Sequence, residues 1–198
     1  MSSTAAAVLS VFPPDDRHGR PAGGPATARV PAGPIARVDR VIGIAAMHVS
    51  GDPDDRLVTY ALGSCLGVAI YDPVVRVGGL LHLMLPDSQL DAAKARTNPC
   101  MFADTGIPLL FRTAYALGAQ KQRIIVKVAG GAMSATSDSD DHFQIGKRNI
   151  VMLRKLLWKN GVLLTAEDVG GSQLSRTMSL TLSSGDVHLR VNGSTTLL

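Results

Sequence analysis

Three side chains within one short stretch have the types and spacing for nucleophilic chemistry: the thiol of Cys65, the imidazole of His82 and the hydroxyl of Thr59. A thiol of ordinary pKa, about 8.5, needs a neighbouring base to attack near neutrality. An imidazole can be that base, and a hydroxyl bonded to one ring nitrogen can turn the other toward the thiol. Cys65 follows the turn-like Ala61-Leu62-Gly63-Ser64 and opens an apolar run, Leu66-Gly67-Val68-Ala69-Ile70-Tyr71. His82 lies in the next run, Gly78-Gly79-Leu80-Leu81-His82-Leu83-Met84-Leu85-Pro86. If the two runs pair as strands, thiol and imidazole can face each other. Gly63 and Ser64 would then let a substrate amide approach and offer backbone N–H groups to an oxyanion. Each residue alone has a plainer reading. Free cysteine packs as a small hydrophobe, a lone histidine in an apolar run is ordinarily a hydrogen-bonded core residue, and threonine suits any strand.

The elements around these residues are mostly strands. Apolar runs bounded by turn residues predict strands over 41–49, 57–62, 66–71, 80–85, 124–128, 162–169, 177–182 and 187–191, the last two joined by Ser183-Ser184-Gly185-Asp186. Ile107, Leu110, Phe111, Ala114 and Leu117 recur at helical spacing before Gly118, with Pro108 in the first turn or at a kink in a longer helix starting near Asn98-Pro99. Ile150, Leu153 and Leu157 mark a second helix over about 147–160. Strands without regular βαβ alternation predict an α+β fold: mixed, largely antiparallel sheets packed with two main helices in a layered sandwich.

Residues 1 to about 38 differ from the rest, and seven of eleven prolines fall in the first 53 positions. They are expected to be a disordered extension, leaving 39–198 as a single domain. Two cysteines without a CxxC pair point to a reducing cytoplasm with free thiols, and no apolar stretch nears the roughly 20 residues of a membrane helix. A net charge of +4 and 4% aromatic residues give little support to nucleic-acid binding. The histidines show no metal-ligand spacing, and neither a metal nor a cofactor is expected. Gly130-Gly131 and Gly170-Gly171 match no phosphate-binding pattern and are read as tight turns that bring backbone near the site. Lys147-Arg148 reads as a solvated face, with contact to an acidic receptor surface as the alternative; Asp168 reads as structural, pairing with Arg176 or bracing a loop, and Cys100 as incidental.

The blocks Thr59-Tyr60-Ala61-Leu62-Gly63-Ser64-Cys65, Tyr71-Asp72-Pro73, Gly78 to Pro86, Lys127-Val128-Ala129-Gly130-Gly131-Ala132-Met133, Ile145-Gly146-Lys147-Arg148-Asn149 and Asp168-Val169-Gly170-Gly171 occur in one order. Together they resemble the CheD family of chemoreceptor glutamine deamidases, over about residues 41–192. The resemblance implies a protein-glutamine glutaminase that converts glutamines of methyl-accepting chemotaxis receptors to glutamate. It also implies a Cys-His-Thr trio, which the family's spacings of six and seventeen place on Thr59, Cys65 and His82. Receptor cytoplasmic domains would be the substrate and a CheC-type phosphatase a further partner. A non-catalytic adaptor that binds receptors or such a phosphatase is the alternative. Three positions depart from the family pattern: Ala61, where Gly is common, Ala129, where Phe often precedes Gly-Gly, and Ser175, where Gly usually precedes the arginine.

Overall fold

The computed structural model describes residues 38–133 and 144–198. The extension expected over residues 1 to about 38 therefore lies almost wholly outside the described residues. Among the described residues, ten strands form two five-stranded sheets. The first runs β1 (Val38–Ile42), β3 (Asp55–Leu62), β8 (Arg176–Thr181), β9 (Asp186–Val191), β10 (Ser194–Leu197) in spatial order. The second runs β2 (Ala46–Ser50), β5 (Val77–Leu83), β4 (Leu66–Asp72), β6 (Ile125–Gly130), β7 (Leu164–Val169). Only β1 with β3 and β6 with β7 pair in parallel; every other neighbour is antiparallel. Helices α1 (Ala92–Thr97), α2 (Ala103–Ala116) and α3 (Ile145–Lys159) complete the fold, and the expected layered α+β sandwich is what forms.

Two apolar layers explain the order. Leu66, Val68 and Ile70 of β4, with Leu81 and Leu83 of β5, pack against Ile107, Leu110 and Phe111 of α2 and Leu153 and Leu157 of α3. The alternate residues, Ala69 and Tyr71 of β4 and Leu80 of β5, face the first sheet and meet Leu57, Leu62, Met178, Leu180 and Leu189. The second sheet is thus covered on both faces, and its central strands read as continuous apolar runs instead of alternating ones. All seven residues of β4 and of β5 are buried, so any polar side chain there needs a partner. Asp72 finds one: Arg123 donates to it at 2.8 Å and the Gln120 amide at 2.8 Å. Burial opposes the charge of this carboxylate, but Arg123 and the backbone donors outweigh that and hold its pKa below the ordinary value.

The structure departs from the expected elements at three places. The strand expected over 41–49 is two strands in different sheets, because the chain turns at Gly43-Ile44-Ala45, with Ala45 at φ 55°. Pro108 lies inside α2, which starts at Ala103. β10, unforeseen, pairs with β9 through the two-residue turn Asn192-Gly193, both at positive φ.

Candidate active site

Thr59 and His82 meet in the layer between the sheets. Thr59 sits on β3 opposite Ile42 of β1, and His82 sits on β5 opposite Gly67 of β4 and Ala46 of β2. Both side chains are fully buried. The Thr59 hydroxyl is 2.8 Å from the Ile42 carbonyl oxygen and 2.7 Å from His82 Nδ1. It has one hydrogen, and the carbonyl can only accept, so the hydroxyl donates to Ile42 and accepts from Nδ1–H. That assignment fixes the tautomer: the proton is on Nδ1, and Nε2 carries the lone pair of a base. Nε2 is buried and has no hydrogen-bond partner among the described residues.

Cys65 lies one residue before β4 and two before Gly67. It packs against the apolar layer between the sheets, the same layer that a side chain at Gly67 would enter, where a Cβ would stand 2.7 Å from Leu62 and 2.9 Å from Met178. Cys65 and His82 therefore share one face of the second sheet as diagonal neighbours at the end of the β4–β5 ladder. Cys65 is a half-buried free thiol, whereas His82 lies deeper. Burial pushes the Cys65 thiol pKa up, opposed by its own backbone N–H, and burial pushes the His82 pKa down. Both shifts favour neutral groups. The resting pair is a thiol and a neutral imidazole, not a preformed ion pair.

The loop before the thiol is held by backbone. The Gly63 N–H donates to Ala61 O at 2.9 Å, the Ala132 N–H to Gly63 O at 2.8 Å, and the Gly131 N–H to Cys65 O at 2.8 Å. At Gly130, φ is 114° and a Cβ would lie 2.1 Å from Cys65 O, so this position excludes any side chain. The Gly-Gly turn does bring backbone against the Cys65 loop. Gly63 has its N–H occupied, whereas the Cys65 N–H turns toward its own sulfur. Asp168 pairs with Arg176 as expected, at 2.8 Å, and Arg176 also donates to Gly170 O at 3.0 Å. Lys147 and Arg148 are exposed on α3. Asn149, not foreseen as a site residue, reaches the loop through Ser64 O at 3.0 Å.

The β3–β8 register shifts between Thr59 and Leu62, and Ala61 at this bulge has φ 57°. Bulges of this kind re-aim a strand beside a site. The left-handed backbone is also the physical reason for a glycine preference at position 61. Ala61 is exposed and makes no core contact to lose. Ala61→Gly is expected to raise stability by about 0.5 kcal/mol, relief of the αL strain exceeding the added chain entropy, as measured by urea denaturation.

Comparison with known proteins shows the family. The family model described as CheD chemotactic sensory transduction matches residues 84–191, just C-terminal to the trio. A probable chemoreceptor glutamine deamidase CheD 1 of Syntrophus aciditrophicus (strain SB) is 56% identical over 155 residues, covering 78% of this chain and 95% of its own. A probable chemoreceptor glutamine deamidase CheD of Solibacter usitatus (strain Ellin6076) is 50% identical over 153 residues, covering 77% and 89%. A probable chemoreceptor glutamine deamidase CheD 2 of Anaeromyxobacter dehalogenans (strain 2CP-C) is 47% identical over 146 residues, covering 74% and 90%. With a family model matching more than half its length and relatives of this identity spanned almost end to end, the chain belongs to the CheD family.

Proposed function

We propose that the protein is a protein-glutamine glutaminase that hydrolyses glutamine side-chain amides of chemoreceptors to glutamate, with Cys65 as nucleophile, His82 as base and Thr59 as the group that orients it. The observation that carries this reading is the hydrogen bond from His82 Nδ1–H to Thr59, which leaves Nε2 as a buried lone pair on the face that Cys65 shares. Cys65 Sγ attacks the amide carbon as its proton passes to His82 Nε2. The tetrahedral oxyanion falls to the Ser64 and Cys65 N–H groups, since Gly63 donates to Ala61. His82 then returns the proton to the departing nitrogen, ammonia leaves, and a thioester remains. A water deprotonated by Nε2 hydrolyses the thioester, releasing a carboxylate and restoring the thiol.

An adaptor role alone gives the unpartnered, buried His82 Nε2 no use. The resemblance also supports a CheC-type phosphatase as a second partner, testable by co-migration in gel filtration. The enzymatic reading is tested by ammonia release from a receptor cytoplasmic fragment. Ammonia is expected from the glutamine-bearing fragment and none from one whose methylation-region glutamines are already glutamate; equal release from both would exclude receptor glutamines as the source.

Thr59→Val keeps volume and strand propensity but removes the acceptor for Nδ1–H. The ring can then rotate or take the other tautomer, and kcat is expected to fall about 100-fold in the ammonia assay, less than on losing the base. The variant also loses the hydroxyl's bond to the Ile42 carbonyl and costs about 1 kcal/mol of stability.

A further inference from the structure

We infer that Asn149 is a positioning residue that holds Cys65 in line with His82; the inference rests on the reading of those two as nucleophile and base. The β4–β5 ladder ends at Leu66 opposite Leu83, so Cys65 stands one residue beyond its last rung. Gly131 N–H holds Cys65 O on the β6 side, but no rung of the β4–β5 ladder fixes the nucleophile on the β5 side that carries His82. Asn149 supplies that link. Its Nδ2 donates to Ser64 O at 3.0 Å, beside the nucleophile, and to Met84 O at 2.8 Å, two residues past His82. One rigid amide thus joins the two chain segments that carry the reacting groups. The orientation is unambiguous, because a flipped amide would set Oδ1 against two carbonyl oxygens.

Two further observations separate this from ordinary packing. Asn149 is fully buried, yet Oδ1 has no hydrogen-bond partner among the described residues. An unsatisfied buried acceptor works against stability, so the residue is explained by its two donors and not by a fully satisfied core. The start of α3 is also pressed against the segment that grips the nucleophile loop. A Cβ at Gly146 would lie 2.5 Å from Gly131 O and 2.6 Å from Ala132 O, the residues whose N–H groups bond Cys65 O and Gly63 O. Glycine at 146 lets the helix come close enough for the Asn149 amide to reach both carbonyls.

The test compares iodoacetamide alkylation of Cys65 with that of Cys100, the internal reference thiol, by peptide mapping of the full chain. Asn149→Ala is expected to slow Cys65 about tenfold relative to Cys100, to the level of His82→Gln, and to add no further loss in the double variant. On a receptor fragment it lowers kcat about 100-fold with KM unchanged. A wild-type or faster alkylation ratio, or losses that add fully in the double variant, overturns the inference. Asn149→Asp, of the same size but unable to donate to either carbonyl when ionised, is read in the same way should Asn149→Ala not fold. Alkylation needs no receptor: a slowed ratio in a protein that releases no ammonia would retain the positioning role and remove the proposed reaction.

Discussion

Cys65→Ser is expected to leave a folded protein with turnover reduced by at least about 10⁴-fold, in ammonia release or in site-resolved mass analysis of a receptor fragment. The change is nearly isosteric at a half-buried position, so the fold is not at stake. A serine hydroxyl is far less acidic than a thiol. The base is a neutral imidazole that bonds a threonine hydroxyl, and among the described residues no carboxylate bonds it to stabilise imidazolium. Such a base can draw a proton from a thiol as attack proceeds, but hardly from an alcohol. A serine that retained activity within tenfold of wild type would place the nucleophile elsewhere.

His82→Gln is the second large effect, an expected loss of about 10³- to 10⁴-fold in kcat with little change in KM. Glutamine can still donate to Thr59 but has no basic lone pair, so the variant separates the base from the hydrogen bond it makes. The pH dependence gives an independent check. Burial holds the His82 pKa below its ordinary value of 6.5. The base form is the neutral imidazole, which persists down to the lowered pKa; activity is therefore kept as pH falls past 6.5 and lost only below it. The acid limb of kcat/KM in the wild type lies below the ordinary histidine value. In His82→Gln that limb disappears. An acid limb at or above 6.5 would mean that the titrating group is not this buried histidine.

Much of the site was legible because it is local. Cys65 immediately precedes β4 and His82 lies on its antiparallel neighbour β5, so a turn signal and two apolar runs suffice to bring them near each other. Thr59 was harder to read. It reaches His82 from the other sheet, and the register that brings it there depends on Ile42 pairing with Thr59 in parallel, a contact that periodicity does not encode. The strand expected over 41–49 failed for a related reason. Its apolar run is continuous, but Ala45 takes a left-handed backbone and sends the two halves to different sheets. β10 carried a readable signal, since Asn192-Gly193 is the dipeptide that a tight hairpin prefers. Asn149 lay in one of the blocks carrying the family resemblance, but nothing in its sequence neighbourhood reveals a reach to carbonyls 85 and 65 positions away. Gly63 shows a limit of composition-based reasoning about oxyanion sites: small residues permit approach, but whether an N–H is free depends on the turn, and here Ala61 takes it.

The most direct test of the central claim is site-resolved mass analysis of a receptor cytoplasmic fragment after incubation with the wild-type protein and with Cys65→Ala. The account predicts that defined glutamines gain the mass of conversion to glutamate with the wild type, and that the same residues stay unchanged with Cys65→Ala. Conversion by Cys65→Ala at the wild-type rate would contradict it.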